Sequence, residues 1–238
     1  MIPKTIHYCW FGDSPLPPLA VECMYSWKKH CGDFIVKRWD EDNFDINVSR
    51  YSKEAAKEGK WAFVADVARF YVLYKHGGIY LDVDVEVRKP IDRFLNADFF
   101  VGFENSNQIN TGQGFGAVKR FHLVKKMLDI YYDMPFINDD KTLNDIPSPH
   151  YTSKIMKEQG IKLNNTEQNI QNIRIYPTEY FCPKNFHDGV VNITENTYTI
   201  HHFLGTWLSE NQRAQIKLIK KLAPILKMLD QKVVQPTR

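Results

Sequence analysis

Residues 61–87, WAFVADVARFYVLYKHGGIYLDVDVEV, combine a change of hydrophobic period with two adjacent glycines. Apolar side chains recur at helical spacing up to residue 76, which predicts a buried helix. Gly77 and Gly78 supply the left-handed backbone that commonly ends a helix. From residue 79 the period becomes two, which predicts a strand with its apolar side chains on one face. The chain is therefore expected to fold around a helix, a tight turn and a strand.

The opposite face of this strand carries three carboxylates, those of Asp82, Asp84 and Glu86. Same-face neighbours on a strand lie roughly 7 Å apart, so these like charges repel unless the face is hydrated or holds a cation. A hydrated surface strand is one interpretation. The other is a divalent cation site, because Asp-x-Asp supplies the hard oxygen ligands that suit Mg²⁺ or Mn²⁺. The place of the strand after a buried helix favours the cation site.

Asp66 and Arg69 lie three residues apart on the predicted helix and therefore share a face. On an exposed face such a pair is a weak salt bridge. Their neighbours are apolar, however, which predicts that both charges are partly buried and need further partners. A nucleotide diphosphate would satisfy Arg69, and sugar hydroxyls would satisfy Asp66.

The spacing D-x-x-R from Asp66, followed by GGIYLDVD at residues 77–84, resembles the sugar-binding DxD region of glycosyltransferase family 32. This family includes bacterial enzymes of capsular polysaccharide synthesis and fungal Golgi mannosyltransferases. Its signature is similar to that of the large clostridial glucosylating toxins. The resemblance implies an α/β fold of the GT-A type, a Rossmann-like nucleotide-binding domain with a mixed central sheet flanked by helices.

The same resemblance implies a metal-dependent, retaining transfer of a sugar from a nucleotide-sugar donor, expected to be a UDP-sugar, to a hydroxyl of a glycan. Asp84 and His202 would hold Mn²⁺ or Mg²⁺, and Asp82 would bridge ribose and sugar or reach the metal through water. Arg69 would add positive charge beside the diphosphate, and Asp66 would orient donor hydroxyls. The sequence reveals no nucleophile, and no catalytic base is assigned.

Two tryptophans complete the donor site that the resemblance implies. Trp10 follows the predicted first strand and would stack on the base, although a core aromatic is the alternative. Trp207 follows the histidine pair at residues 201–202, and its indole N–H would donate to a phosphate oxygen. A histidine at the end of a strand is otherwise most often structural.

Two further segments are candidates for ligand contacts. Residues 110–117, NTGQGFGA, are rich in glycine and amides, so they either border the donor and acceptor or form a plain hairpin loop. Residues 134–149 form a polar, proline-bounded loop, followed by a short helix predicted for residues 153–159, and the loop is where acceptor specificity is expected.

Length and charge bound the remaining possibilities. The 238 residues carry a net charge of only +3, without an arginine-rich tract, so nucleic acid is not an expected partner. Neither a signal peptide nor an apolar run long enough to span a bilayer is visible, which predicts a cytoplasmic protein. The four cysteines lack C-x-x-C spacing and are expected to be reduced core residues.

The predicted domain division is a catalytic domain at residues 1–210 and a basic amphipathic segment at 211–238, with a helix over residues 212–232. That helix either packs on the domain or lies on an anionic membrane surface at the inner face of the cell membrane. A lipid-linked glycan acceptor, as in capsular or other surface polysaccharide synthesis, would suit the second arrangement.

Two other functions remain open at this stage. A metal-dependent phosphoesterase or nucleotidyltransferase could also use Asp82 and Asp84, but it would need a water-activating base or a glycine-rich triphosphate loop. A non-catalytic module that binds nucleotides or glycans is the second alternative.

Overall fold

The structure, a computed structural model, describes residues 1–206, 208, 211–216, 218, 219 and 222. Its strands are β1 (Thr5–Cys9), β2 (Ile35–Trp39), β3 (Gly78–Tyr80), β4 (Val85–Val87), β5 (Phe99–Phe103), β6 (Ile109–Ala117), β7 (Gln168–Ile170), β8 (Ile173–Tyr176) and β9 (Thr199–His201). Its helices are α1 (Pro18–His30), α2 (Arg50–Lys57), α3 (Trp61–His76), α4 (His122–Asp133), α5 (Ser148–Glu158) and α6 (Thr178–Phe181), with a 3₁₀ turn at Asp92–Phe94.

Seven of these strands form a mixed sheet in the order β2-β1-β3-β6-β5-β8-β7. β1 runs parallel to both β2 and β3, whereas β6 is antiparallel to β3 and β5. β8 is parallel to β5, and β7 pairs antiparallel with β8. β4 and β9 form a separate antiparallel pair. The predicted mixed α/β sheet flanked by helices is confirmed.

The central strands of the sheet are buried on both faces because they send alternate side chains into two hydrophobic cores. On β5, Phe99 and Val101 join the core that contains residues of α2, α3, α4 and α5. Phe100 points into the second core, which contains residues of α1, α6 and β4. Burial on both faces leaves the edge at the strand ends as the place where polar side chains can gather.

The predicted helix and glycine turn are confirmed. α3 ends at His76, and the backbone of Gly77 and Gly78 has φ of 68° and 105°. A Cβ on Gly78 would lie 2.7 Å from the Thr5 carbonyl oxygen of β1. Glycine is therefore required here both for the left-handed turn and for the close approach of β3 to β1.

Of the two interpretations of the glycine-rich segment 110–117, the plain hairpin loop is wrong, because the segment is part of the central strand β6. Every residue of β6 is buried, and the strand lies between β3 and β5. A Cβ on Gly116 would come 2.3 Å from the Phe100 ring. The glycines thus make room for bulky neighbours on the adjacent strand, which a local reading of the sequence does not reveal.

Two helices differ from the sequence prediction, and a third predicted helix lies largely outside the described residues. α2 was not predicted, although Ser49 and Ser52 cap it through reciprocal hydrogen bonds. α5 begins at Ser148, five residues before the predicted start at residue 153, because Pro149 occupies the first turn, where proline is tolerated. Of the helix predicted for residues 212–232, residues 212–216 are helical and most of the rest lies outside the described residues.

No described helix has the length and apolar content needed to cross a membrane. All four cysteines are buried, and none forms a disulfide. The expectation that they are core residues is confirmed.

His7 links β1 to the glycine turn through a buried hydrogen-bond chain. Its Nε2 lies 3.0 Å from the Gly77 carbonyl oxygen, and its Nδ1 accepts the Trp39 indole N–H at 3.0 Å. A carbonyl only accepts, so Nε2 carries the proton and the imidazole is neutral. Burial lowers the pKa of His7 to about 4, although the Gly77 carbonyl opposes this shift.

We expect His7 to destabilise the fold at acid pH. Between pH 6.5 and about 4 the unfolded chain binds a proton at His7 that the folded chain does not, so the free energy of unfolding falls as the pH falls. The loss reaches about 3 kcal/mol. Denaturant unfolding across this range should show a flatter pH dependence for His7→Gln than for the native chain. The exposed His150→Gln variant serves as control, and an equal slope in all three proteins would contradict the assignment.

Candidate functional site

A buried guanidinium joins helix α3 to the chain that follows β3. Arg69 Nη2 lies 3.1 Å from Asp66 Oδ1 and 3.1 Å from Asp82 Oδ1. Arg69 and Asp66 are buried, as the apolar neighbours of the pair predicted. Arg69 Nη1 also donates to the Ser148 hydroxyl at 3.2 Å. Ser148 was not identified from sequence, since it reaches Arg69 only because α5 begins there.

The charges of this cluster shift each other's proton affinity. Burial raises the pKa of Asp66 to about 6, even though the Arg69 charge acts to lower it. Burial also acts to lower the pKa of Arg69, but Asp82 and Asp66 together raise it well above its ordinary value. Arg69 is therefore a fixed positive charge beside the sheet edge.

Asp82 lies in the turn after β3, against the backbone of β6. Its Oδ1 accepts hydrogen bonds from Arg69 and from the Tyr80 hydroxyl, the latter at 3.0 Å. Its backbone N–H donates to the Gly112 carbonyl at 2.9 Å. A Cβ on Gly112 would come 2.1 Å from Asp82 Oδ2, so only glycine leaves room for the carboxylate in this place.

The acidic strand predicted for residues 79–87 is interrupted, which corrects the arrangement of its carboxylates. β3 ends at Tyr80 and β4 begins at Val85, so Asp82 and Asp84 lie in the connecting turn. Glu86 lies apart on β4. The continuous alternation of apolar residues hid this break, because β3 pairs within the main sheet whereas β4 pairs with β9.

Asp84 is held on both carboxylate oxygens by the segment that follows β9. Its Oδ1 lies 3.3 Å from His201 Nε2, and its Oδ2 accepts the Leu204 backbone N–H at 2.6 Å. Burial acts to raise the pKa of Asp84, but His201 and the Leu204 amide outweigh it and lower the pKa to about 2. Burial likewise opposes the charged form of His201, and Asp84 raises the pKa of that imidazole well above its ordinary value.

Asp82, Asp84 and His201 together form a group that could hold a metal ion. Each offers one ligand atom, and these atoms all lie within 4.8 Å of one another. Two carboxylates and one imidazole are a donor set that suits Mn²⁺ or Mg²⁺. The residues present therefore fit such a cation.

His202, the histidine predicted as a ligand, lies elsewhere. Its Nε2 is 3.0 Å from Glu86 Oε2, and the group around Asp84 contains His201 instead. Adjacent residues of a strand point to opposite faces, and the pairing of Val85 with His201 determines which histidine reaches Asp84. That register is a long-range property, so the sequence could identify the histidine pair but not the member that faces the carboxylate.

Trp10 lines a cleft at the carboxyl ends of β1 and β2. The cleft has a volume of about 500 Å³, and its lining is Trp10, Gly12, Asp13, Ser14, Pro15, Leu16, Arg38, Asp40, Glu41 and Asp42. The indole N–H donates to the Ser14 carbonyl at 2.7 Å, so the half-buried ring is fixed in place. Since β1, β2 and β3 are parallel, this cleft and Asp82 lie at the same edge of the sheet. Trp207 lies outside the described residues.

Residues 17–101 match the sequence family described as a glycosyltransferase sugar-binding region containing a DXD motif. An uncharacterized glycosyltransferase of Acanthamoeba polyphaga mimivirus is 36% identical over 106 residues, which cover 42% of this chain and 42% of that protein. Inositol phosphoceramide mannosyltransferase 3 of Schizosaccharomyces pombe is 31% identical over 99 residues, or 40% of this chain and 28% of that protein. The chain thus aligns with less than half the length of these relatives.

Among solved structures, the PaToxG glycosyltransferase superposes with a TM-score of 0.51 at 18% identity, over 66% of this chain and 70% of that chain. The likeness shows that the chain has the GT-A fold, as the D-x-x-R and GGIYLDVD motifs implied. The resemblance carried by these motifs is also confirmed by the family match.

We expect Gly112→Ala to weaken cation binding without unfolding the chain. The new methyl group meets Asp82 Oδ2, so the carboxylate must shift from its present place beside Asp84 and His201. Displacing one such group should lower the Mn²⁺ affinity about tenfold. Gly32→Ala is the matched control, because its Cβ meets only the Lys28 carbonyl, at 3.2 Å. Equal Mn²⁺ affinity in folded Gly112→Ala and native protein would contradict this placement of Asp82.

Proposed function

Because the chain carries the DXD-containing sugar-binding region of glycosyltransferases, we propose that it is a glycosyltransferase that moves a sugar from a nucleotide-sugar to a glycan hydroxyl. The observation that carries the proposal is the convergence of Arg69, Asp82, Asp84 and His201 within one cluster at the carboxyl ends of parallel strands. In open α/β sheets, ligands bind in the crevice at that edge.

The donor is proposed to lie between the Trp10 cleft and the Arg69 cluster. The indole of Trp10 offers an apolar face for a base, and a UDP-sugar is the donor that the resemblance favours. Arg69 is proposed to add positive charge beside the diphosphate, where it would offset part of the negative charge that Asp66, Asp82 and the donor bring together. Asp66 and Asp82 supply acceptors for donor hydroxyls. Trp207 is proposed, from the resemblance alone, to donate a hydrogen bond from its indole N–H to a phosphate oxygen of the donor.

Asp84 and His201, with Asp82, are proposed to hold Mn²⁺ or Mg²⁺. When bound, such a cation neutralises the negative charge that develops on the departing diphosphate. Asp84 is already oriented for this role, because the Leu204 amide fixes one of its oxygens and leaves the other towards His201. His201 takes the place that the sequence assigned to His202.

Arg69 prepares the donor site in a second way, through Asp82. Asp82 Oδ1 accepts hydrogen bonds from both Arg69 and the Tyr80 hydroxyl, so the carboxylate cannot rotate freely. Interactions fixed before the substrate arrives cost no reorganisation during the reaction. Retention of anomeric configuration is proposed from the resemblance, and no side chain is assigned as nucleophile or base.

For the acceptor and the cellular role, only a class of acceptor and a membrane contact are proposed. A lipid-linked glycan acceptor in surface polysaccharide synthesis is consistent with one relative being named an inositol phosphoceramide mannosyltransferase. We retain the division into a catalytic domain at 1–210 and a basic segment at 211–238 that contacts the inner face of the membrane. Sedimentation with anionic vesicles tests that contact.

Release of nucleoside diphosphate from UDP-, GDP- and CDP-sugars with Mn²⁺, with and without oligosaccharide acceptors, tests the function. We expect one nucleotide family to be used, and Asp84→Asn to lower kcat/KM about 100-fold or more. Glu86→Gln is the matched control, because Glu86 lies two residues away and contacts His202 and Arg88 instead of the cluster.

The two variants separate the possible outcomes. A loss in Asp84→Asn with near-native activity in Glu86→Gln supports the proposed site. The reverse pattern would place the cation at His202 and contradict the geometry. Absence of transfer and of donor hydrolysis with every nucleotide-sugar would favour a non-catalytic binding module.

A further inference from the structure

The last residue of β9 and the residues that follow it make three contacts with Asp84. His201 Nε2 lies 3.3 Å from Asp84 Oδ1, the His202 backbone N–H donates to the Asp84 carbonyl at 3.0 Å, and the Leu204 N–H donates to Oδ2 at 2.6 Å. One short segment thus sets both the position of the imidazole and the rotation of the carboxylate. Phe203 is the residue of this segment that makes no bond to Asp84.

The backbone of Phe203 is left-handed, with φ of 57°. Among the described residues with positive φ, Phe203 is the only aromatic one. Non-glycine residues in this conformation carry strain, which persists only where surrounding contacts enforce it. Here the turn at Phe203 directs the next amide, that of Leu204, onto Asp84 Oδ2. The strained conformation and the orientation of the carboxylate therefore belong together.

The ring of Phe203 lies against the His201 imidazole, with centroids 4.3 Å apart and planes inclined by 38°. On its other side it meets Phe186 edge-on, with centroids 5.2 Å apart. Metal-binding histidines usually have their second ring nitrogen fixed by a hydrogen bond. The Cys182 thiol beside His201 is only a weak partner for the imidazole, because the thiol also donates to the Lys184 carbonyl and no described atom bonds Nδ1 with good geometry. Ring packing adds to that orienting role.

We propose that Phe203 is a positioning residue of the cation site, holding the His201 ring by packing against it and the Asp84 carboxylate by its left-handed turn. The inference rests on the proposed cation site and adds to it a residue that contacts neither cation nor substrate. Its two contributions are separable by substitution. Glycine adopts the left-handed turn but lacks the ring, tyrosine keeps both, and alanine keeps neither the ring nor a relaxed turn.

Mn²⁺ titration followed by electron paramagnetic resonance, with and without UDP, tests the proposal without measuring turnover. We expect the Mn²⁺ dissociation constant to rise about 10-fold or more in Phe203→Ala, less in Phe203→Gly, and to stay near native in Phe203→Tyr. The melting temperature of cation-free Phe203→Gly should fall less than that of Phe203→Ala, because both variants lose the ring contacts and only glycine relieves the left-handed backbone. A residue with only a structural role would lower the melting temperature in these variants and leave the Mn²⁺ dissociation constant of the folded protein near native.

The outcomes separate a failure of the Phe203 inference from a failure of the proposed cation site. Native protein that binds no Mn²⁺ in either condition would contradict the cation site itself. Native affinity for Mn²⁺ in folded Phe203→Ala and Phe203→Gly would overturn the role of Phe203 alone and leave the cation site intact.

Discussion

The buried guanidinium of Arg69 is the contact on which the arrangement of the site depends. It holds Asp66 of its own helix and Asp82 of the turn after β3 with a single nitrogen, and it packs over the Tyr80 ring with its Cζ 5.0 Å from the ring centroid. Removing one partner of such a group leaves an uncompensated buried charge, which is strongly destabilising. The helix, the glycine turn and the acidic turn are therefore fixed relative to one another before any ligand binds.

The second half of the site comes from a distant part of the chain. β9 pairs with β4, and this small sheet brings His201 and the Leu204 amide to Asp84 across more than a hundred residues of sequence. The main sheet contributes the Arg69 and Asp82 half and the Trp10 cleft. Cation affinity is thus linked to a tertiary pairing of two three-residue strands, and it should be the first property lost if that pairing loosens.

The local features of the sequence predicted much of this arrangement. Helical period, the double glycine and the D-x-x-R spacing identified α3 and its buried charges, because these patterns depend on near neighbours. The break between β3 and β4 and the use of His201 in place of His202 could not be predicted, since both follow from which strand pairs with which. The strand identity of residues 110–117 was missed for a related reason, because its glycines fit the side chains of neighbouring strands.

Crystallographic location of Mn²⁺ by anomalous scattering, in crystals grown with UDP, would show which side chains hold the cation. We expect one Mn²⁺ within about 2.0–2.4 Å of an Asp84 oxygen and of His201 Nε2, with Asp82 beside it. Leu204 N–H should still donate to the other Asp84 oxygen. A cation bound instead between Glu86 and His202, or bound UDP with no cation near Asp84, would rule out the proposed site at Asp84 and His201.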